Sequence, residues 1–249
     1  MKALLVSEFL RSRSRRLFQV VSGLAVLGIL VAGAIVFATQ SYDLATLPEV
    51  LLGMSFVFVI LGWLFGASFV GAEWHAGTIT TLLTWEPRRT RVIVAKMTAA
   101  VVSVFVLTLV LQAFLAGVLA VDAATQGSTA GADGAWAAEA AGVGLRVALL
   151  SSIFAGVGFG IASIGRNTAA ALGVGFGYLV IVENLVRGLR PAWAPWLLTE
   201  NAGLFLIGDP ADFPLLHRSV VGAGIYLAAV ATLLLVAAAA QFRVRDVTV

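Results

Sequence analysis

Few residues in this 249-residue chain have the chemistry of a reaction centre. Ser68 and His217 are the types that make a nucleophilic dyad, but Ser68 lies near one end of the second apolar run and His217 precedes the last run on the other side. Glu73-Trp74-His75 begins like a zinc-hydrolase helix yet lacks the second histidine of HExxH, and the chain holds only 2 histidines. There is no cysteine, which excludes thiolate nucleophiles, disulfides and cysteine metal sites together. The only lysines are Lys2 and Lys96, neither preceded by glycine, so no GxxxxGK[ST] phosphate loop exists. Glu183 and Arg187 stand four residues apart, the spacing of an ion pair on one helix face. A structural, snorkelling pair at the outer end of a span is expected there, ahead of a gate or a substrate contact, and Arg146 reads as another snorkelling anchor.

The elements that must position these residues are membrane spans. The chain is 60% hydrophobic and 12% charged, with a mean hydropathy of +1.01; soluble domains hold about 45–50% apolar and about 25% charged residues. An all-α integral membrane protein forming one domain over 1–249 is expected, with spans at 17–38, 50–70, 92–121, 142–164, 168–186 and 219–241. The first run, at 22 residues, is too long for a signal-peptide core of about 7–15. The third outruns a ~30 Å hydrocarbon core and should tilt or protrude at its Lys96 end. Residues 1–16 read as an amphipathic helix, with Leu5 and Phe9, joined by Leu4 and Leu10, on its apolar side and Lys2, Glu8, Arg11, Arg13, Arg15 and Arg16 on the polar one; a basic flank that only orients the first span is the alternative. The segment 122–141 reads as a flexible loop. The string GVGFG occurs at 156–160 and 173–177 and implies close helix packing. Four prolines and two tryptophans in 188–216 exclude a straight span and fit short interfacial or re-entrant helices.

Of 16 cations, 12 fall on the side of both termini, Arg243 and Arg245 among them, against Arg146, Arg187, Arg190 and Arg218 opposite. The positive-inside rule then puts both termini in the cytoplasm. The longest polar interruption on that side is 71–96. Thr78 is placed to cap a short helix on which Ile79, Leu82 and Leu83 share a face, an apolar knob for a partner's groove or a strip lying on the membrane surface. Pro87 ends it or begins the next helix, and Arg88, Arg89, Arg91 and Lys96 form a basic collar.

Glu73, Gly77-Thr78-Ile79, Leu82-Leu83, Pro87-Arg88-Arg89 and Ala95-Lys96, between spans two and three, resemble the permease subunits of type-2 ABC exporters, the ABC-2 superfamily. The resemblance extends over nearly the whole chain. It implies an amphipathic elbow helix before span one (Glu8, Phe9, Arg11) and a coupling helix that meets an ATPase (Glu73, His75, Gly77, Thr78, Ile79, Leu82, Leu83). It also implies a short second coupling helix between spans four and five, in the cytoplasmic loop of Arg166 and Asn167, and broken outer helices between spans five and six. The missing phosphate loop then has a meaning: ATP and Mg belong to a separate ATPase subunit, and this chain carries no cofactor and is not itself an enzyme. The partners implied are that ATPase, a second permease chain (identical or a sister), and the lipid bilayer, with no nucleic acid.

The expectation is an exporter permease of the bacterial cytoplasmic membrane moving an amphipathic or hydrophobic cargo. The alternatives are a non-transporting membrane anchor and an intramembrane hydrolase built on Ser68 and His217.

Overall fold

Six helices long and apolar enough to cross a membrane dominate the computed structural model, which describes residues 2–39 and 41–244. The chain is an all-α, multi-pass membrane protein. Among the described residues no strand forms, and one isolated bridge joins Asp43 to Ser128. In order, α1 is Lys2–Ser14, α2 Arg16–Thr39, α3 Leu47–His75, α4 Thr78–Trp85, α5 Arg89–Thr125 and α6 Gly134–Gly165. The fifth crossing, Thr168–Leu189, is divided: α7 (Thr168–Phe176) and α8 (Glu183–Leu189) are joined by a π-helical turn, Gly177–Val182. A short α9 (Leu198–Ile207) follows, then α10 (Val220–Val244). The expected cation at Arg245 lies outside the described residues.

Burial identifies the centre. The most apolar window of α6 is 78% buried, against 11% for α2, so α6 is the axis and α2 is peripheral. Close approach of α3 to α6 depends on Gly62 and Gly66, one helical turn apart. A Cβ on Gly66 would overlap the Ala155 carbonyl oxygen, and one on Gly62 that of Ser151. Of the two GVGFG strings, the first packs throughout: Gly156 and Gly160 meet Leu235 and Leu234 of α10, while Gly158 receives Trp63. In the second only Gly175 is closely packed, again by Trp63, and Cβ atoms on Gly173 and Gly177 would meet nothing within 4 Å. Trp63 of α3 is thus a wedge between α6 and α7.

Two elements differ from the sequence expectation. The segment 122–141 is not a flexible loop, because α6 already starts at Gly134. Asp133 caps it, accepting from Trp136 N at 2.9 Å, and the alanine-rich turn that follows has high helix propensity. What remains of the loop is pinned by Ser128 N donating to Tyr42 O at 3.0 Å and Tyr42 N to Asp122 Oδ2 at 3.1 Å; burial there raises the Tyr42 phenol above its ordinary pKa. The third crossing is longer than expected: α5 has 37 residues, about 55 Å at 1.5 Å per residue.

The close approach of α3 and α6 is testable. Gly66→Ala should destabilise the bundle by roughly 1–3 kcal/mol through overpacking. Gly53→Ala, whose Cβ would meet nothing within 4 Å, should leave stability unchanged or raise it by about 0.5–1 kcal/mol. Thermal unfolding of the two variants in the same detergent decides the matter, and equal midpoints would refute the packing assignment.

Candidate functional site

At the end of the bundle that carries α1 and the last turn of α10, five charged side chains from four places in the chain converge. Lys96 of α5 is 2% exposed, and its Nζ lies 3.0 Å from both carboxylate oxygens of Glu8 in α1. The same Nζ is 2.9 and 2.7 Å from Oε1 and Oε2 of Glu73 in α3. Arg15, at the joint of α1 and α2, donates to Glu73 Oε1 at 2.5 Å and to the Ser68 carbonyl at 3.2 Å, and its guanidinium sits 4.4 Å over the Phe69 ring. Arg11 completes the set at 3.2 Å from Glu8. Burying a lone carboxylate or ammonium costs several kcal/mol; each of these has opposite charge within hydrogen-bond range.

The cluster corrects the sequence reading of three residues. Lys96 belongs to no solvated collar. Glu8 is fully buried rather than on the polar side of α1, and Leu10 is 62% exposed rather than on its packed side. The spacing carries the signal. Val92, Ile93, Lys96, Ala99 and Ala100 are all buried and share one stripe of α5, with Lys96 at its centre. On α1, Glu8 and Ser12 are buried and Leu4, Leu5 and Phe9 half-buried along one stripe.

Above the cluster sits α4, the short helix between α3 and α5. Gly77, in the left-handed region at φ 65°, makes the turn out of α3. Thr78 is therefore not the cap but the first helical residue, and its hydroxyl donates back to the Glu73 carbonyl at 3.4 Å. Ile79 is 2% exposed and joins the same core as Val70, Ile93 and Phe242, with Leu83 packed beside it. The expected outward knob of Ile79, Leu82 and Leu83 is thus mostly an inward root. The outward face is Thr78, Thr81, half-buried Leu82 and Trp85, the last 85% exposed. With Arg11 they line a hollow of about 420 Å³. The side chain of His75 lies outside the described residues.

Arg166 and Asn167 form the tight turn between α6 and α7. Asn167 Oδ1 accepts from Ala169 N at 2.8 Å, capping α7. Arg166 is held at φ 53°, unusual for a residue with a side chain, and its guanidinium lies 4.6 Å over Trp74, near the end of α3. The second turn is thereby stacked on the element that carries α4.

At the opposite end, Glu183 and Arg187 do not form the expected pair. The π turn and the arrival of α9 offer each a better partner. Glu183, fully buried, accepts from Leu198 N at 2.7 Å, from Thr199 N and from the Thr199 hydroxyl, which places a carboxylate on the N-terminus of α9. Arg187 instead bonds Glu200 at 2.8 Å and Asn184 at 3.2 Å. The guanidinium of Arg146 packs against Gly208, the residue that ends α9; it is thus a clasp on α9. Asn201, fully buried, accepts from Arg218 at 3.0 Å and donates to the Leu197 carbonyl at 2.7 Å. Neither this pair nor the Trp63 wedge was legible from residue type, since each gains its meaning from a partner distant in sequence.

A hollow of about 270 Å³ opens between α3 and the fifth crossing, walled by Phe56, Trp63, Phe176 and Leu179 and edged by Asn184 and Arg187. Ser68 and His217 are not brought together: Ser68 adjoins Arg15 beside the ion cluster, and His217 neighbours Arg218 beside α9. No protein-family model matches the chain, and no curated protein matches it as a relative.

Lys96→Met leaves Glu8 buried with only half-exposed Arg11 and should cost about 3–5 kcal/mol; adding Glu8→Gln should recover part of the loss, a coupling that a double-mutant cycle of thermal stability measures. Glu183→Ala should speed exchange of the Leu198 and Thr199 amides by about tenfold or more, as charge-assisted bonds are lost, with Arg187→Ala leaving those two amides protected.

Proposed function

We propose that this chain is the permease subunit of an ATP-driven exporter of the type-2 ABC kind, working in the bacterial cytoplasmic membrane. Two such chains, identical or sisters, would make a twelve-span domain with two ATPase subunits that bring ATP and Mg. In this reading the basic end faces the cytoplasm, α1 is the elbow helix, α4 the coupling helix and α9 the re-entrant outer element.

The observation that carries the reading is the mounting of α4. A short helix between the second and third crossings is rooted by Ile79 in the bundle core and underlain by a buried ion cluster. Its outer face, with Thr78, Thr81 and Trp85, is exposed. Force applied there passes through Ile79 and Glu73 into α3 and through Lys96 into α5, so both crossings move with the partner. A floppy, solvated loop would dissipate the same push. Aromatic side chains presented beside a hollow are the usual anchors of protein contacts, and Arg11 supplies a cation for an acidic rim.

Closure of the two ATPases on ATP would drive α4 and its twin, and with them the crossings that flank the hollow between α3 and α7. That hollow has apolar walls and a polar outer edge, which suits an amphipathic or hydrophobic cargo. It has no ring of charge that would select ions.

The test is capture of the chain from solubilised membranes of its native host. A soluble ATPase with a Walker A loop should co-purify, and Trp85→Ala with Thr81→Arg should reduce its yield about tenfold or more, the scale of a lost hot spot, without lowering thermal stability. Equal yield from the variant, or no ATPase with the native chain, ends this reading.

A further inference from the structure

We propose that the groove between α1, α2 and α5 is a binding site for one anionic glycerophospholipid. Its phosphate would be held by Arg13 and Arg16 and an acyl chain would lie along α5. The site is independent of any ATPase and requires only that the crossings lie in a bilayer.

The groove has a volume of about 550 Å³, within the range of about 300–1,000 Å³ typical of small-molecule sites. Its floor is a stripe of Val102, Val106 and Val110, 40%, 52% and 58% exposed. These residues recur every fourth position, so they run along one side of α5 for about 12 Å. Phe9 and Phe18 form the walls, and Ser12, Ser103 and Arg13 the polar end. A second hollow of about 230 Å³ shares Phe18 and Ser103 with the first and has Arg16 on its rim. A forked apolar trough with a cation on each branch matches the shape and charge of a two-chained anionic lipid.

Charge complementarity decides the occupant. Arg13 and Arg16 are exposed and, among the described residues, neither has a carboxylate partner. The neighbouring carboxylates, Glu8 and Glu73, are already held by Lys96, Arg15 and Arg11. With charges of −2 from the glutamates and +3 from Arg11, Arg15 and Lys96, the cluster itself is net positive. It offers Arg13 and Arg16 nothing to neutralise. An anion that also carries a long apolar tail, and that reaches a trough open along the flank of a crossing, is a membrane lipid.

Native mass spectrometry of the full chain, exchanged into detergent with phosphatidylglycerol or phosphatidylcholine of the same chains, tests this. Phosphatidylglycerol should be retained about tenfold or more above phosphatidylcholine, as expected for two arginines near one phosphate. Arg13→Ala with Arg16→Ala should remove that preference. Val106→Trp, which fills the trough and leaves both arginines in place, should reduce retention of phosphatidylglycerol as strongly. Arg190→Ala at the other end should change nothing. Equal retention of the two lipids, undiminished retention in either groove variant, or displacement of the lipid by soluble glycerol 3-phosphate would overturn the proposal.

Discussion

The ammonium of Lys96 holds together what would otherwise be three separate pieces. Its three N–H donors face both oxygens of Glu8 and both of Glu73, and so join α1, α3 and α5 at one point. A lysine suits this place because its charge is compact and lies at the end of a flexible stem that reaches from the α5 backbone to the cluster. Arginine does the complementary work at position 15, where its planar fork bonds a carboxylate and a main-chain carbonyl together and its face lies on Phe69. In a low-dielectric surrounding such contacts tolerate little displacement, since separating any partner exposes a charge to apolar neighbours.

Everything cytosolic in the proposed mechanism is built on that point. The helix α4 begins five residues after Glu73, and its first hydroxyl is bonded to the Glu73 carbonyl. Its root, Ile79, is in the core formed by α3, α5, α6 and α10. The turn at Arg166 is stacked on Trp74, and Trp74 in turn meets Phe242 edge-on with ring centroids 6.0 Å apart. Towards the middle of the bundle the contacts change character. There the glycines of α3 and α6 and the Trp63 wedge hold the helices by shape alone, which accommodates a small rotation more easily than a buried ion cluster does. The molecule thus has a stiff charged end and a closely fitted apolar centre.

The six crossings were legible because apolar runs of about 20 residues have no other use in a chain of this hydropathy. The helix count, the proline-broken segment before α10 and the short helix between α3 and α5 followed from the same pattern. Helix ends were less legible, since Asp133 and the alanines after it are loop-like in composition and helical in context. The charged residues were the hardest. Sorting them by polarity put Glu8 and Lys96 on solvated faces; sorting them by helical phase puts both on apolar stripes, which is a demand for a buried partner. The fate of Glu183 was not legible at all, because its partners are the first amides of a helix fifteen residues further along the chain.

The wide turn at Gly177–Val182 decides which way Glu183 points. Glu183 follows Gly175 by eight residues, which on an uninterrupted α-helix leaves the two about 80° apart. A π turn absorbs one extra residue, so the effective separation becomes seven and the two fall within about 20° of each other. Both are buried, Gly175 under Trp63 and Glu183 against α9. Without that absorbed residue the inward place would go to Val182, which is 44% exposed, and the carboxylate would swing towards the hydrocarbon. The fifth crossing therefore has two angular registers, and no single helical wheel describes it.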